Sequence, residues 1–153
     1  MSEMINIFIA HSGDDENYID DFKALIGDKY TVRDSSLTKE DPNAAHNPEY
    51  IKSLIRSSID WAGTVVVLIG EDTHTRDWVS WEIEYALKHG KNIVGVYLPG
   101  VENAILPEAI ELYSNSIASW NSKSILDAIN GNSVFENSDG TLKLFDGDGR
   151  ATC

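Results

Sequence analysis

The 153-residue sequence predicts an α/β fold built on an open, mostly parallel, five-stranded sheet with helices on both faces. Three observations predict it. Short unbroken apolar runs alternate with segments of helical periodicity along most of the chain. The connections between them are short, as right-handed crossovers allow. One run, "GTVVVLIG" (63–70), is apolar and mostly β-branched, the pattern of a central parallel strand buried on both faces.

The elements follow in order. "MINIFIA" (4–10) reads as a buried strand, followed by "SGDDENYIDDFKALIG", where Ile19, Phe22, Leu25 and Ile26 fall on one helical face. Ser12 with Asp15 three residues on resembles a capping box, and Gly27 is a C-terminal stop. "KYTVRD" (29–34) is a second strand and "SSLTKEDPNAAH" (35–46) a long polar loop. Asn47 caps a helix with Pro48 at its first position, and Ile51, Leu54, Ile55, Ser58 and Ile59 form its buried stripe. Residues 63–70 are the third strand, "RDWVSWEIEYALKHG" carries the third helix to a stop at Gly90, and "KNIVGVYL" (91–98) is the fourth strand. A short helix (107–113), a fifth strand (116–120) and a last helix (122–130) complete the series. The commonest order for five such strands is 2-1-3-4-5, which makes the fold a flavodoxin-like three-layer sandwich. Residues 1–130 form this body. Residues 131–153 form an extension that reads as a hairpin turning at "NSDG", or a packing flap or tail with an acidic end. Its "DGDG" (146–149) lacks the remaining ligands of a calcium loop.

Composition narrows the function. A net charge of −13 argues against nucleic acid and anionic membrane as partners, since both need basic patches. No run is long enough to span a bilayer, and "MSEMINIF" has no signal-peptide pattern. The only cysteine is Cys153, so neither a disulfide framework nor a thiolate metal site is expected, and a reducing cytoplasm is the expected location. His46 and His74 stand without metal-ligand spacing. No glycine-rich dinucleotide fingerprint or Walker A loop is present. A phosphoacceptor receiver would need an aspartate where the third strand ends in "VLIG". No metal and no cofactor are expected.

In a sheet of this order, ligands bind at the carboxyl ends of the strands, where the order reverses between the first and the third. His11, Ser12, Asp34 and the start of the third helix line that crevice. Two acids compete for a role there. At roughly 100° per residue, Val79, Ile83, Ala86 and Leu87 share the face that meets the sheet. Glu84 points nearly opposite with Trp81 and Lys88, and pairs with Lys88 at i,i+4. Glu82 flanks the buried stripe on the side of Trp78 and Tyr85, at the crevice edge. Glu82 is therefore the candidate, against the alternative of a half-buried acid stabilised by the helix N-terminus. Taken singly, Ser12 is equally a helix cap, His11 a loop histidine and Trp78 a packing residue.

The segments "INIFIAHS" (5–12), "VRD" (32–34), "VVVLIGEDTHTRDWVSWEIEYAL" (65–87) and "KNIVGVYL" (91–98) resemble the TIR-like domains of bacteria and archaea, including the Thoeris antiphage type. The resemblance covers residues 4–120 and is strongest over 62–98. Arg33-Asp34 matches the family's "RD" after the second strand. Trp78-Val79-Ser80-Trp81-Glu82 matches its serine-tryptophan-cysteine pattern with a glutamate four residues after the tryptophan, valine replacing cysteine. The resemblance maps the family's catalytic glutamate to Glu82. Ser35-Ser36 replaces the proline-glycine of the adaptor-type loop, and the third box of animal members is not evident, which weakens an adaptor reading.

What the resemblance implies is cleavage of the nicotinamide–ribose bond of NAD by a glycohydrolase, cyclase or conjugating activity. NAD is then a substrate rather than a cofactor. The ADP-ribose-derived product would act as an antiviral signal read by a separate effector, with self-assembly a further expectation. Glu82 would stabilise the oxocarbenium-like transition state. Trp78 would wall the nicotinamide, His11 and Ser12 would hold ribose or pyrophosphate, and Asp34 and Ser36 are weaker ribose candidates. Two rivals stand beside it: a non-enzymatic TIR-like interaction module, and glycosyl transfer of the nucleoside deoxyribosyltransferase type.

Overall fold

A computed structural model describes residues 5–12, 15–34, 48–101 and 104–143. The chain runs β1 (Ile5–Ala10), α1 (Tyr18–Ile26), β2 (Tyr30–Asp34), α2 (Pro48–Trp61), β3 (Thr64–Ile69), α3 (Asp77–Lys88), β4 (Asn92–Tyr97), α4 (Glu108–Tyr113), β5 (Ser116–Ala118) and α5 (Ser122–Ile129). A 3-10 turn at Thr73–Thr75 leads into α3. The sheet order is β2-β1-β3-β4-β5, with every neighbouring pair parallel. The architecture and strand order are those the sequence predicts.

Side-chain alternation along the strands divides the interior into two cores. Phe8, Val65, Val67 and Ile69 face one way and pack with Ile55 and Ile59 of α2, Val79, Ile83 and Ala86 of α3, and Ile110 of α4. Ile7, Ile9, Val66 and Leu68 face the other way, onto Phe22 of α1 and Ile125 of α5. Every residue of β3 is buried, as its unbroken apolar run requires. Gly27 and Gly90 follow α1 and α3 with φ of +83° and +69°, the left-handed conformation that a helix stop favours in glycine.

Three local expectations change. Helix α1 begins at Tyr18, well beyond Ser12; the backbone N–H of Asp15 donates to the Ser12 carbonyl at 2.9 Å in a turn ahead of the helix. The Asp15 carboxylate is drawn into a tertiary contact instead, lying so close to Gly70 that a Cβ there would stand 2.5 Å from Oδ2. Leu87, expected in the core, is 42% exposed. The expected cap Asn47 lies outside the described residues.

Beyond α5 the chain returns to the sheet. The Ile117 amide donates to the Val134 carbonyl at 2.7 Å, and the Glu136 amide donates to the Ile117 carbonyl at 2.8 Å. This parallel pairing covers the free edge of β5, which would otherwise expose unpaired backbone groups. The chain then reverses through Asn137–Gly140, so that Glu136 bridges Leu142 in antiparallel fashion, the hairpin expected at "NSDG". The Glu136 carboxylate ties it down. Its Oε1 accepts from the Ser119 amide and hydroxyl, both at 2.9 Å, and its Oε2 accepts from the Ser124 hydroxyl at 3.0 Å. Replacing Glu136 by Ala removes both acceptor oxygens and the three hydrogen bonds they receive, and is expected to lower the unfolding free energy by about 1–3 kcal/mol in urea titrations followed by circular dichroism. Glu136→Gln, which keeps one acceptor oxygen, should lose less.

Candidate functional site

The carboxyl ends of β1 and β2 and the first turns of α3 converge on one side of the sheet. Parallel register sets Ile9 opposite Asp34, so His11 and Asp34 leave adjacent strands at nearly the same level. Helix α3 packs between α2 and α4 and rests on β1, β3 and β4. The loop that delivers α3 is clamped to the loop after β1. The Gly70 amide donates to Thr73 Oγ1 at 2.8 Å, and the same hydroxyl lies 3.2 Å from the Leu68 carbonyl and 3.5 Å from Asp15 Oδ2.

Glu82 lies deeper than the crevice edge expected of it. It is 0% exposed, and neither carboxylate oxygen has a hydrogen-bond partner among the described residues. Buried polar atoms are nearly always paired, so two orphaned oxygens on one buried acid call for an explanation. Burial, and after it the nearby negative charge of Asp34, push the Glu82 carboxyl well above its ordinary range. Glu84, two residues on, is exposed.

His11 is 5% exposed. Its Nδ1 lies 2.7 Å from the Ser12 carbonyl and must carry the proton there, because a carbonyl oxygen only accepts. Its Nε2 has no hydrogen-bond partner among the described residues and stands 3.9 Å from Asp34 Oδ1, an ion-pair separation rather than a hydrogen bond. Burial pulls the His11 pKa down. Asp34, the Ser12 carbonyl and Glu16 outweigh it, and the net shift is upward.

The structure thus sets His11 beside Asp34 and buries Ser12 next to His11, and the Asp34 charge reaches the buried Glu82. Ser36 lies outside the described residues, as does His46. Trp78 is half-buried and begins an aromatic ladder along α3: ring centroids are 5.4 Å apart for Trp78–Trp81, 5.9 Å for Trp81–Tyr85 and 4.2 Å for Tyr85–His89. Sequence reasoning assigned Trp81 to the solvated face with Glu84. Its spacing, three residues after Trp78 and four before Tyr85, is the signal that places it in the ladder instead. Lys52 of α2 sits over the Trp81 ring at 5.7 Å, and Asp60 accepts from the Tyr85 hydroxyl at 2.8 Å.

A cavity of about 370 Å³ opens at the ends of β3 and β4, lined by Asp15, Tyr18, Gly70, Glu71, Asp72 and Leu98 among others. Glu82 is not part of its wall, and three acids make it a poor home for a phosphate. Among the described residues, no cluster of His, Cys, Asp and Glu has a metal-holding arrangement. Nor is any helix among them long and apolar enough to cross a membrane.

A family model described as "Thoeris protein ThsB, TIR-like domain" matches residues 8–103. Among solved structures, the chain is similar to a Clostridium botulinum CMP N-glycosidase, BcmB, with a TM-score of 0.52 and 17% identity, over 82% of this chain and 98% of that one. At that identity the likeness speaks for the fold alone. No curated protein matches the sequence.

The raised Glu82 carboxyl has a consequence for stability. The native protein holds a proton on Glu82 at pH values where the unfolded chain, with an ordinary carboxyl near 4.5, has released it. Stability from this group is therefore fully present below pH 4.5 and is lost as pH rises toward the native pKa. Glu82→Gln should gain stability relative to the wild type as pH rises through that window, by up to about 1.4 kcal/mol per pH unit. Parallel urea titrations of the two proteins at several pH values check this; a constant difference would contradict it.

Proposed function

Because the chain belongs to the Thoeris ThsB TIR-like domain family, we propose that it is an enzyme that breaks an N-glycosidic bond at ribose, with NAD as substrate and Glu82 as the essential carboxylate. The observation that carries this reading is the buried, unpartnered Glu82 carboxyl at the strand ends where the sheet order reverses. A structural acid would be expected to have its oxygens satisfied; among the described residues neither of these has a partner.

The chemistry suits a single carboxylate. The nicotinamide ring nitrogen is already positive, so it leaves with the bonding electron pair as a neutral molecule and needs no proton. The ribosyl group left behind is oxocarbenium-like, and a carboxylate in a dry site stabilises it far more than one in water. Water or a hydroxyl nucleophile then forms the new C–O bond and gives up a proton, for which the Glu82 carboxylate is the base. Trp78 offers a flat wall for nicotinamide, while the buried end of β1 at His11 and Ser12, with Asp34, lies where the ribose hydroxyls would sit. Ser36 is retained as a weaker ribose contact. Glu82 is covered at rest, so substrate admission requires the covering atoms to move.

On this reading, which the family supports, the product would be an ADP-ribose-derived signal in antiviral defence, read by a separate effector in the cytoplasm. The TIR-like body (1–130) would carry the activity and any self-assembly, and residues 131–153 would serve as its extension. A second reading has an observation of its own: the similar botulinum structure is described as a CMP N-glycosidase, so glycosyl-bond cleavage in a nucleoside monophosphate is the competing enzymatic assignment.

The test is nicotinamide release from NAD by purified protein and by lysates of phage-infected cells expressing it, with CMP and a deoxynucleoside plus free base as parallel substrates. Glu82→Gln should lower turnover of NAD by about 10²–10³-fold or more, and Glu84→Gln should change it by less than about twofold, as surface substitutions usually do. Wild-type release by Glu82→Gln rules out the assignment to Glu82. Cytosine release without nicotinamide release favours the second reading, and no release in any arm favours a non-enzymatic module.

A further inference from the structure

We propose that the cleft between α4 and the Asn137–Gly140 turn is a second ligand site, separate from the Glu82 crevice, and that it takes a small organic cation. The class is an alkyl ammonium or guanidinium compound whose charged head meets the Tyr97 hydroxyl and the carboxylates of Glu111 and Asp139. Such a site stands whether or not Glu82 cleaves a glycosidic bond.

The cleft has a volume of about 690 Å³, and Glu82, His11 and Asp34 are not among the described residues that line it. One wall follows from β4. Side chains alternate along a strand, so Ile93, Gly95 and Tyr97 share the face that α4 covers. A Cβ on Gly95 would stand 3.3 Å from Ile110 Cγ2, so α4 packs directly on the strand there. Tyr97, at the strand's end, is 4% exposed and packs in the same core as Leu106 and Ile110. A buried tyrosine usually finds a partner for its hydroxyl. Among the described residues this one has no hydrogen-bond partner. Unlike the Glu82 oxygens, that hydroxyl is not fully enclosed, so it opens on the cleft that Tyr97 lines. The core needs only the ring; the hydroxyl is left for something else.

The facing wall is the turn, tied to the body by Glu136. Asp139 Oδ1 accepts from the Thr141 hydroxyl at 2.6 Å and from its amide at 2.9 Å, which fixes the carboxylate and favours its ionised form. Its Oδ2 has no hydrogen-bond partner among the described residues. Asn137 spends its Nδ2 on Thr141 Oγ1 at 3.1 Å and on the Leu142 carbonyl at 3.3 Å, which leaves its side-chain oxygen as the group on offer. Glu111 adds an exposed carboxylate from α4.

The class of ligand follows from this inventory. The free groups are acceptors, apart from the hydroxyls of Tyr97 and Ser138, which can do either. Two carboxylates against the single cation Lys143 leave the described wall net negative, so phosphate and carboxylate ligands are repelled. Among the described residues no group of three His, Cys, Asp or Glu is placed to hold a bare metal ion. Ile105, 60% exposed, and Leu106 offer an apolar surface beside the charges. An ammonium or guanidinium head brings only donors and the opposite charge, and a short alkyl chain covers the apolar part. The buried Tyr97 hydroxyl is what separates this cleft from the acidic surface in general.

The experiment is a titration of the full chain with agmatine, followed by calorimetry and by proton–nitrogen NMR. One equivalent should bind with a Kd below about 1 mM and move the amide signals of Tyr97, Leu106, Ser138 and Gly140. Tyr97→Phe, which deletes only the hydroxyl, should weaken binding by about 3–10-fold. Glu111→Gln, a change on the exposed side of α4 that leaves the core alone, should weaken it by about two- to fivefold. Magnesium, a charge without an alkyl body, and AMP, an anion, should leave those signals in place. The proposal is overturned by any of four results: no saturation, shifts spread over the acidic outer face of α1, equal displacement of the signals by magnesium, or wild-type affinity in Glu111→Gln. Wild-type affinity in a folded Tyr97→Phe overturns it as well.

Discussion

The burial of β3 on both faces is the constraint on which the remaining structure rests. Its six residues are at most 4% exposed, and they pair with β1 on one side and β4 on the other. A parallel strand so enclosed needs helices above and below, which the crossovers supply: α2, α3 and α4 on one face, α1 and α5 on the other. The chain leaves β3 at Gly70, where Asp15 approaches too closely for any side chain, and Thr73 then binds back to the strand end. The start of α3 is thereby fixed relative to the end of β1. That fixed relation carries Glu82 into the neighbourhood of Asp34 and His11.

The same geometry makes the site a weak point of the core. A buried polar group without a partner costs about 1–3 kcal/mol, and here Glu82 and His11 Nε2 both lack one among the described residues. An apolar side chain at position 82 would pack among Val79, Ile83 and Ala86 without that cost. Glu82 could be tolerated only where the surrounding cores are continuous enough to absorb the loss. This chain meets that condition, with both faces of the sheet covered and the β5 edge paired by the returning chain.

The sheet order and the helices were legible in the sequence, and so was the inward side of Glu82 against the exposed Glu84, because periodicity and strand-end position are properties of the chain alone. Depth was not. A helical wheel centred on Ile83 puts Leu87 inside the buried face, about 40° from it, and Glu82 only at its flank, about 100° away, so the wheel favours the wrong one for burial. Only the tilt of α3 against β1 and α4 decides that Glu82 turns in and Leu87 turns out. Trp81 was misplaced for a related reason: the wheel sets it between the polar face and the aromatic side, and stacking on Trp78 and Tyr85 decides between them. The Asp15–Gly70–Thr73 clamp joins residues far apart in the chain, and no local pattern announces it. Ser36 lies in a polar segment with no periodicity, where sequence reasoning has little to hold.

The depth of Glu82 also bears on the choice between the two enzymatic readings, because they need opposite forms of the same carboxyl. Nicotinamide leaves from a cationic nitrogen and takes nothing from the protein except electrostatic stabilisation, which only an ionised Glu82 provides. Cytosine leaving from a neutral nucleotide would have to be protonated as it departs, which only a neutral Glu82 could do. Burial and the like charge of Asp34 favour the neutral form at rest. On the NAD reading, the pyridinium ring beside Glu82 would oppose that preference by replacing the lost proton with its own charge, whereas a neutral cytosine would leave it in place. NAD and CMP both carry phosphate and are anions overall, so on these two readings it is the charge of the departing base next to Glu82, more than that of the whole ligand, that distinguishes them.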